Sequence, residues 1–533
     1  MLYSARKGVA FSLALTAFPL ARAFAADACL TVADTEIKKV LLTSDLVNPM
    51  ELAIAPDKRI FMVEKVSGKV RIFDPATSQL TDALTIPVYS PTHEGLLGIA
   101  LDPGFASNHF VYVYYTHKTD IKHELDRYTE VGGKLEEASK KVVLNVPGVR
   151  WADEHHSSGS LAFAPDGNLF LSVGENVDPN QSQGYASVNE AKRLEDTQAT
   201  AANSNDLNGK ILRIHPEQDG SYTLPDGNLF KATDSTRGEI YAMGMRNPIR
   251  IAVDAKTGWL YWGEPGPDAT TESATRGPIG RDEINRAKAP GFLGWPYFIA
   301  ENLSYITGGK TQDPLHPVNN SPNNTGEKNL PPAQPPLLAY ADAANAKYPA
   351  FESNDARASI MGGVYRFNAA LTSARRLPPR FDGSLFIMDW SRDWINEVTF
   401  TDAGEVAAVA PFLKSQRPNG PIDMAFGPDG DMFLLEYDAH ALYRVDYTGA
   451  CKMDGTTGLA KAYGHEAGPA RAVAAWIPSD GRLSAPAGAR RLEIFNLRGM
   501  RVWQTETLSR SGMRAWTDVP SAYAGRPAWV RWE

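Results

Sequence analysis

HHSSGSLAFAPDGNLFLSVGE, residues 155–175, reads as paired histidines, a small-residue turn, an alternating strand, a Pro-Asp-Gly turn, a second strand and a lone acid. Period-two alternation around such a turn marks a β-hairpin. A hairpin of this length can bring His156 and Glu175 together, a general base beside the carboxylate that orients it. The theme recurs in AIAPDKRIFMVE (53–64), GIALDPGFASNHFVYVYY (98–115), RIAVDAKTGWLYWGE (250–264), RFDGSLFIMDW (380–390) and MAFGPDGDMFLLEY (424–437). Irregularly spaced hairpins with almost no helical periodicity between them fit radial repetition of small sheets better than a sandwich. The fold class expected is all-β, a six-bladed β-propeller followed by a small C-terminal β module. Long loops, notably 175–208 and 264–360, are rich in Asn, Asp, Gly, Pro and Ser, and loops of that length in a compact domain usually carry function.

With 533 residues, 43% hydrophobic and 22% charged, the chain can bury one large core or two smaller ones, and it falls in the soluble globular class. A formal net charge of −8 with no run of Lys or Arg argues against nucleic acid as a partner. MLYSARKGVAFSLALTAFPLARAFAADA opens on Arg6 and Lys7, continues with an apolar stretch from Gly8 to Leu20, and carries Ala23-Phe24-Ala25 in the small-x-small pattern that precedes cleavage. Residues 1–25 read as a signal peptide. Pro19 and Arg22 interrupt the apolar run short of the roughly 20 residues a bilayer requires, and no later segment reads as a membrane span. The expected location is periplasmic or secreted. In such an oxidising compartment Cys29 and Cys451, the two cysteines of the chain, can bond and tie the ends of one domain; two unrelated thiols are the alternative. They cannot build a metal site, and no CxxCH is present for covalent haem.

The propeller is expected over residues 30–450. From Cys451 the composition changes: KMDGTTGLAKAYGHEAGPARAVAAW begins with a small-residue linker, 451–467, and RRLEIFNLRGMRVWQTETL then reads as a hairpin within a small β-rich module, 468–533. LEIFNLRGMRVW resembles the C-terminal sorting modules of type IX secretion cargo; a stability cap or a carbohydrate-binding appendage fits equally well.

The residues suited to chemistry flank the hairpins. Asp206 to Ile214, DLNGKILRI, couples a polar turn to a strand, and Glu239 to Pro248, EIYAMGMRNP, ends a strand on a guanidinium, an amide and a proline. An arginine at a strand end can stabilise an oxyanion or an anionic cofactor. Trp262 to Asp268, WGEPGPD, is a proline-braced turn whose carbonyls can face a hard cation, because proline donates no hydrogen bond. DEIN (282–285) and GWPY (294–297) follow.

In this order GLLGIALDPGF (95–105), the 155–175 hairpin, LNGKILRI (207–214), EIYAMGMRNP (239–248), GEPGPDA (263–269), DEIN (282–285) and GWPYF (294–298) resemble the soluble glucose/sorbosone dehydrogenase family over roughly residues 40 to 448. The run from Arg246 to Trp295 is the most specific part. Members are six-bladed propellers that use pyrroloquinoline quinone (PQQ) and calcium. The resemblance implies that His156 is the base taking the hydroxyl proton of a sugar's anomeric carbon as hydride passes to the quinone. Glu175 stands where the family usually has an aspartate orienting that histidine. Arg246 matches the arginine at the quinone's reactive carbonyl, and Asn247 its neighbour around the cofactor. Gly266 and Pro267 match residues presenting backbone carbonyls to calcium, and Asp282 an acid near the same site. The chain departs from the pattern elsewhere: His93, followed by Glu94, replaces the usual glutamine, Ser391 and then Arg392 stand where glucose-oxidising members use a cofactor-gripping lysine, and Arg417 alone stands near an expected arginine pair. His93, Arg392 and Arg417 are therefore the expected cofactor contacts at those positions.

His155 reads as the structural partner of the histidine pair, and Asp166, Asp382 and Asp429 as turn formers. Trp262, Trp390 and Trp394 read as blade packing, with Trp295 the candidate sugar platform. Glu264 and Asp268 can ligate metal directly or solvate their loop. The reading is an exported quinoprotein that oxidises the anomeric hydroxyl of an aldose or related sugar to a lactone, PQQ taking the hydride and an external acceptor the electrons. A calcium-dependent lactonase-type hydrolase and a non-catalytic glycan-binding propeller are the alternatives.

Overall fold

IFMVE, LFLSV, LYWGE, LFIMD and MFLLE are apolar runs in which every residue is buried. A strand covered on both faces has to lie between packed sheets, and each of these runs is the second strand of a sheet flanked by its neighbours. The structure, a computed structural model, describes residues 32–150, 155–371 and 373–449 and the strands Val473–Trp476, Arg482–Ser484, Leu492–Phe495, Arg501–Thr505, Trp516–Asp518 and Pro527–Trp532. The expected signal peptide, residues 1–25, the linker at 451–467, Cys29 and Cys451 lie outside the described residues.

One compact unit, Ile37–Leu377 with Phe381–Tyr447, holds six sheets. From the innermost strand outward the first blade is Pro49–Ile54, Ile60–Glu64, Lys69–Asp74 and Gln79–Thr85, and the second is Leu96–Leu101, Phe110–Thr116, Lys122–Val131 and Lys134–Pro147. The third is Ser158–Phe163, Leu169–Val173, Lys210–Pro216 and Ile240–Met243, extended by Gly291–Phe292; the fourth is Arg250–Val253, Leu260–Glu264, Asp282–Ala287 and Leu338–Tyr340. The fifth is Ser359–Val364, Leu385–Asp389, Trp394–Phe400 and Val406–Phe412. The sixth runs Pro421–Phe426, Met432–Glu436 and Ala441–Tyr447, and its outer strand is Ile37–Thr43 from the start of the unit, paired Ile37 to Tyr447. The innermost strands touch one another in a closed ring, so the six-bladed propeller read from the hairpins is the fold found. In the second unit Val473–Trp476, Pro527–Trp532, Leu492–Phe495 and Arg501–Thr505 form one sheet, and Arg482–Ser484 pairs with Trp516–Asp518.

Five of the six hairpins are the inner two strands of a blade, and the fifth differs. RFDGSLFIMDW supplies only Leu385–Asp389, whose inner partner is Ser359–Val364, upstream of the hairpin stretch and starting at the end of the expected 264–360 loop. DEIN is likewise a strand of the fourth blade rather than part of a loop. Both strands are buried on both faces, which erases the polar alternation that marks a half-exposed strand.

Apolar clusters fill the spaces between neighbouring blades: Phe61, Val63, Val111 and Val113 lie between the first two, and Tyr114, Leu125, Leu171 and Leu212 between the second and third. The inner ring is tight. A Cβ on Gly98 would meet the Gly159 carbonyl oxygen at 2.0 Å, and one on Gly263 would meet the Ile360 backbone at 2.8 Å.

Five of the six blades also end their second strand on a buried polar side chain facing the loop that enters the same blade. Glu64 accepts from the Val47 amide at 3.1 Å, Thr116 Oγ1 from Gly95 at 3.3 Å, Glu264 from Asn247 at 3.3 Å, Asp389 from Ala358 at 3.1 Å and Glu436 from Asn419 at 3.1 Å. The third blade places Glu175 two residues beyond its strand, where the partner is a side chain.

Arg250 ties three blades at the centre. Its guanidinium is fully buried and donates to the carbonyls of Ile249 at 2.8 Å, Ile422 at 3.1 Å and Met50, with Glu51 and Asp423 as the nearby carboxyls. Removing one member of a buried, hydrogen-bonded charge cluster strands the others. Arg250→Met is expected to cost about 3–5 kcal/mol, seen as a lowered denaturation midpoint with the strand content of the folded state retained.

Candidate functional site

The loops that enter each innermost strand and the loops that follow each second strand emerge on one face of the ring, and there they surround a cavity of about 440 Å³. Its wall takes residues from the start of every inner strand: Met50, Leu97, Ser158, Arg250 and Ile422, with Ala358 just ahead of the fifth. His93, His156, Arg246, Asn247 and Gly266, separated by up to 173 positions in the chain, meet around it.

His156 and Glu175 form the pair expected of them. The hairpin returns Glu175 opposite the loop carrying the histidine, and Nδ1 lies 3.0 Å from Glu175 Oε1 with both side chains buried. That contact leaves Nε2 as the ring nitrogen on the cavity side. The other carboxyl oxygen accepts from Thr197 Oγ1 at 2.9 Å and from Trp295 Nε1 at 2.6 Å. Trp295, the third partner, comes from the segment between the strands Gly291–Phe292 and Leu338–Tyr340. Burial pushes Glu175 up to about 7, against the pull of Arg246, Trp295 and Thr197. Burial also holds His156 well below 6.5, helped by the charge of Arg246 and by His93 and His155. Since the unprotonated form of an imidazole persists above its pKa, the ring is neutral at neutral pH.

His155 is structural. Its Nε2 is 2.6 Å from Glu94, whose other oxygen lies 2.8 Å from His123. Burial raises the Glu94 carboxyl, but the two imidazoles outweigh it and hold the group well below the usual range.

The cavity is cationic although the protein is acidic. Lys65, Arg246, Arg250 and Arg357 line it against one carboxylate, Asp268. Arg246 is held by a bond from Nη1 to the Pro265 carbonyl at 3.2 Å, while Asp268 is 3.8 Å from Nη2. Ser158 donates to the Asn247 amide oxygen at 2.7 Å and fixes that side chain at the wall. Glu264 receives the amides of Arg246 and Asn247 and the Trp262 indole, so it braces the loop and has no open oxygen for a metal.

Four expected contacts lie off the wall. Arg392 is buried with its guanidinium donating to the carbonyls of Ala341, Phe351, Glu352, Asn354 and Ala356, so it ties down the 341–356 loop and cannot reach a cofactor. Arg417 is partly exposed and forks onto Glu352 at 2.9 and 3.1 Å. Asp282 sits behind the wall, accepting from Gly266 N at 2.9 Å, Arg357 Nε at 3.0 Å and Ser359 N at 2.8 Å. Pro267 turns its carbonyl away from the cavity onto Arg357 Nη2, 2.5 Å away. The two tryptophan assignments exchange. Trp295 is buried as a donor to Glu175, whereas Trp390, read as packing, is 37% exposed at the cavity and stands edge-on to Tyr437, ring centroids 6.1 Å apart.

Lys65, Arg250, Arg357, Trp390 and Tyr437 are among the cavity residues that the sequence did not assign to the site. Trp390 and Tyr437 had a signal, since each immediately follows the acid that closes a second strand. Arg357 lies in ESNDARAS (352–359), a stretch without a motif.

The calcium expected on Gly266 and Pro267 does not fit these residues. Calcium takes six to eight oxygen ligands, but Pro267 offers its oxygen to a guanidinium and both Asp282 oxygens are already bonded. Among the described residues no cluster of three or more His, Cys, Asp or Glu could hold a metal.

A family model described as glucose/sorbosone dehydrogenase matches residues 46–334. Quinoprotein glucose dehydrogenase B of Acinetobacter calcoaceticus is 28% identical over 276 residues, 49% of this chain and 52% of its own length. The aldose sugar dehydrogenase YliI of Escherichia coli K12 is 26% identical over 315 residues, 56% of this chain and 74% of its own length. The match thus spans about half of the first relative. The PQQ-bound aldose sugar dehydrogenase of Streptomyces coelicolor superposes with a TM-score of 0.50 at 21% identity over 77% of this chain and 97% of that one, a likeness of fold.

The electrostatics of the pair can be checked without a substrate. In nitrogen-15 NMR titrations His156 is expected to gain its proton only below pH 6.5, and Arg246→Gln to move that midpoint upward by removing a charge that opposes the imidazolium. A wild-type midpoint at or above 6.5 contradicts the assignment.

Proposed function

The chain belongs to the glucose/sorbosone dehydrogenase family, and from that premise we propose that it oxidises the anomeric hydroxyl of an aldose or related sugar to the lactone, with PQQ as the hydride acceptor. The observation that carries the reading is a neutral His156 anchored through Nδ1 on Glu175 at the wall of a cationic cavity. PQQ is a polycarboxylate, and Lys65, Arg246 and Arg357 are the side chains that would hold it there. When bound, the quinone supplies the two-electron acceptor that no protein side chain provides. The names of two relatives, a quinoprotein and a PQQ-bound enzyme, support that choice of cofactor.

His156 Nε2 takes the proton of the anomeric hydroxyl as hydride leaves the same carbon, and Glu175 stabilises the imidazolium that forms. Thr197 and Trp295 keep Glu175 in place through the cycle. Arg246, at the cavity wall, would supply the N–H groups not directed at Pro265 to negative charge developing on a bound quinone. Trp390 and Tyr437 at the cavity edge offer an apolar face to the sugar ring. An external acceptor then removes the electrons.

The N-terminal stretch supports export, and among the described residues no helix is long and apolar enough to cross a membrane. A lactonase-type hydrolase would need converging side-chain metal ligands, and the described residues contain no such cluster. A passive glycan-binding surface has no use for a buried base with its own carboxylate.

The test is dye reduction by protein incubated with PQQ, over a panel of aldoses. Sugar-dependent reduction is expected, with His156→Ala lowering kcat/KM by about 10²–10⁴ and Glu175→Gln by less. Because His156 is active when neutral and its pKa is depressed, the acid limb of the kcat/KM profile should fall below pH 6.5. Absence of sugar-dependent reduction would overturn the reading.

A further inference from the structure

We infer that Arg357 stands in for the divalent cation, so that this chain holds its anionic cofactor without calcium. The inference rests on the PQQ reading above and goes beyond it. The Gly-Pro bend that would present carbonyls to a metal is already closed around a guanidinium. The Arg357 side chain is 4% exposed, and its three nitrogens reach three partners: Nη2 the Pro267 carbonyl of the bend at 2.5 Å, Nε the Asp282 carboxyl behind it at 3.0 Å and Nη1 Asp342. Asp282 in turn holds the bend from beneath through the Gly266 amide at 2.9 Å. One residue thus joins the bend, the acid behind it and the cavity wall.

The Pro267 oxygen that a metal would use is enclosed by protein. A Cβ on Gly280 would lie 1.5 Å from the Pro267 oxygen and 2.7 Å from Arg357 Nη2, which shows that the peptide of Gly280 and the guanidinium together enclose that oxygen. A calcium ion bound to it would sit against the positive charge of Arg357 in a buried setting, where like charges repel strongly. A guanidinium has five N–H donors, and three of its bonds here go to protein. One N–H on Nη1 and one on Nη2 therefore remain as donors for a carboxylate at the cavity wall that Arg357 lines.

The experiment is a titration of the purified full-length protein with PQQ, followed by the cofactor's absorption and by tryptophan fluorescence, once in EGTA and once with millimolar calcium. Dissociation constants agreeing within about threefold in the two buffers are expected. Arg357→Met should weaken PQQ binding at least tenfold in EGTA, and Arg357→Lys, which keeps the charge but not the fork, should fall between. Circular dichroism and the thermal midpoint of each variant check its folding, and the wild-type comparison stands even if Arg357→Met does not fold. A wild-type affinity more than tenfold tighter with calcium, or unaltered binding by a folded Arg357→Met, would overturn the inference while leaving the PQQ reading intact. No binding in either buffer would overturn that reading and this inference with it.

Discussion

A polar side chain buried where a strand ends has to find a hydrogen-bond partner within reach, and the propeller meets that demand in every blade. Glu64, Thr116, Glu264, Asp389 and Glu436 close their second strands and accept amides from the loops that enter the same blades. Each bond joins a loop on the cavity face to the rigid sheet below it. In the third blade the acid stands two residues further on, and the donor facing it is the His156 ring. The base–carboxylate pair therefore occupies a place that elsewhere serves only to pin a loop. A small displacement along the chain turns a structural bond into a chemical one, because an imidazole, unlike a backbone amide, has a second nitrogen to present to the cavity.

Closure of the ring then determines what surrounds that nitrogen. Six inner strands begin on one face, so the loops that precede them converge from every part of the unit. Arg246, Arg357 and Lys65 stand on loops rather than in the sheets and line the space left at the centre. Their charges concentrate there while the chain as a whole carries −8. Burial first, and then the charge of Arg246, favour the neutral form of His156, so one of the groups that suits an anion also helps to prepare a base.

The departures from the expected pattern share a cause. Arg392 lies next in sequence to Ser391, a residue of the cavity wall, but the 341–356 loop supplies a nest of carbonyls that outcompetes any ligand for its donors. Arg417 meets Glu352 from the same loop. Trp295 lost its role as a platform to its bond with Glu175, and Trp390 gained one by standing at an open edge. In each case a partner more than twenty positions away decided which way the side chain faces, and no local pattern records such a partner.

Read alone, the chain was enough for the bladed architecture, because alternation and Asp-Gly turns act over a dozen residues and the hairpins declare themselves locally. The pairing of His156 with Glu175 was legible for the same reason: one hairpin spans the whole distance between them. The inner strand of the fifth blade was hidden, because a strand buried on both faces loses the alternation that would reveal it. Only the folded ring decided which arginines reach the cavity, which tryptophan meets it, and that Arg357 rather than an ion closes the Gly-Pro bend. Those outcomes depend on which groups, distant along the chain, compete for the same few donors and acceptors, and that competition exists only once the sixth blade has taken its outer strand from the first residues of the unit.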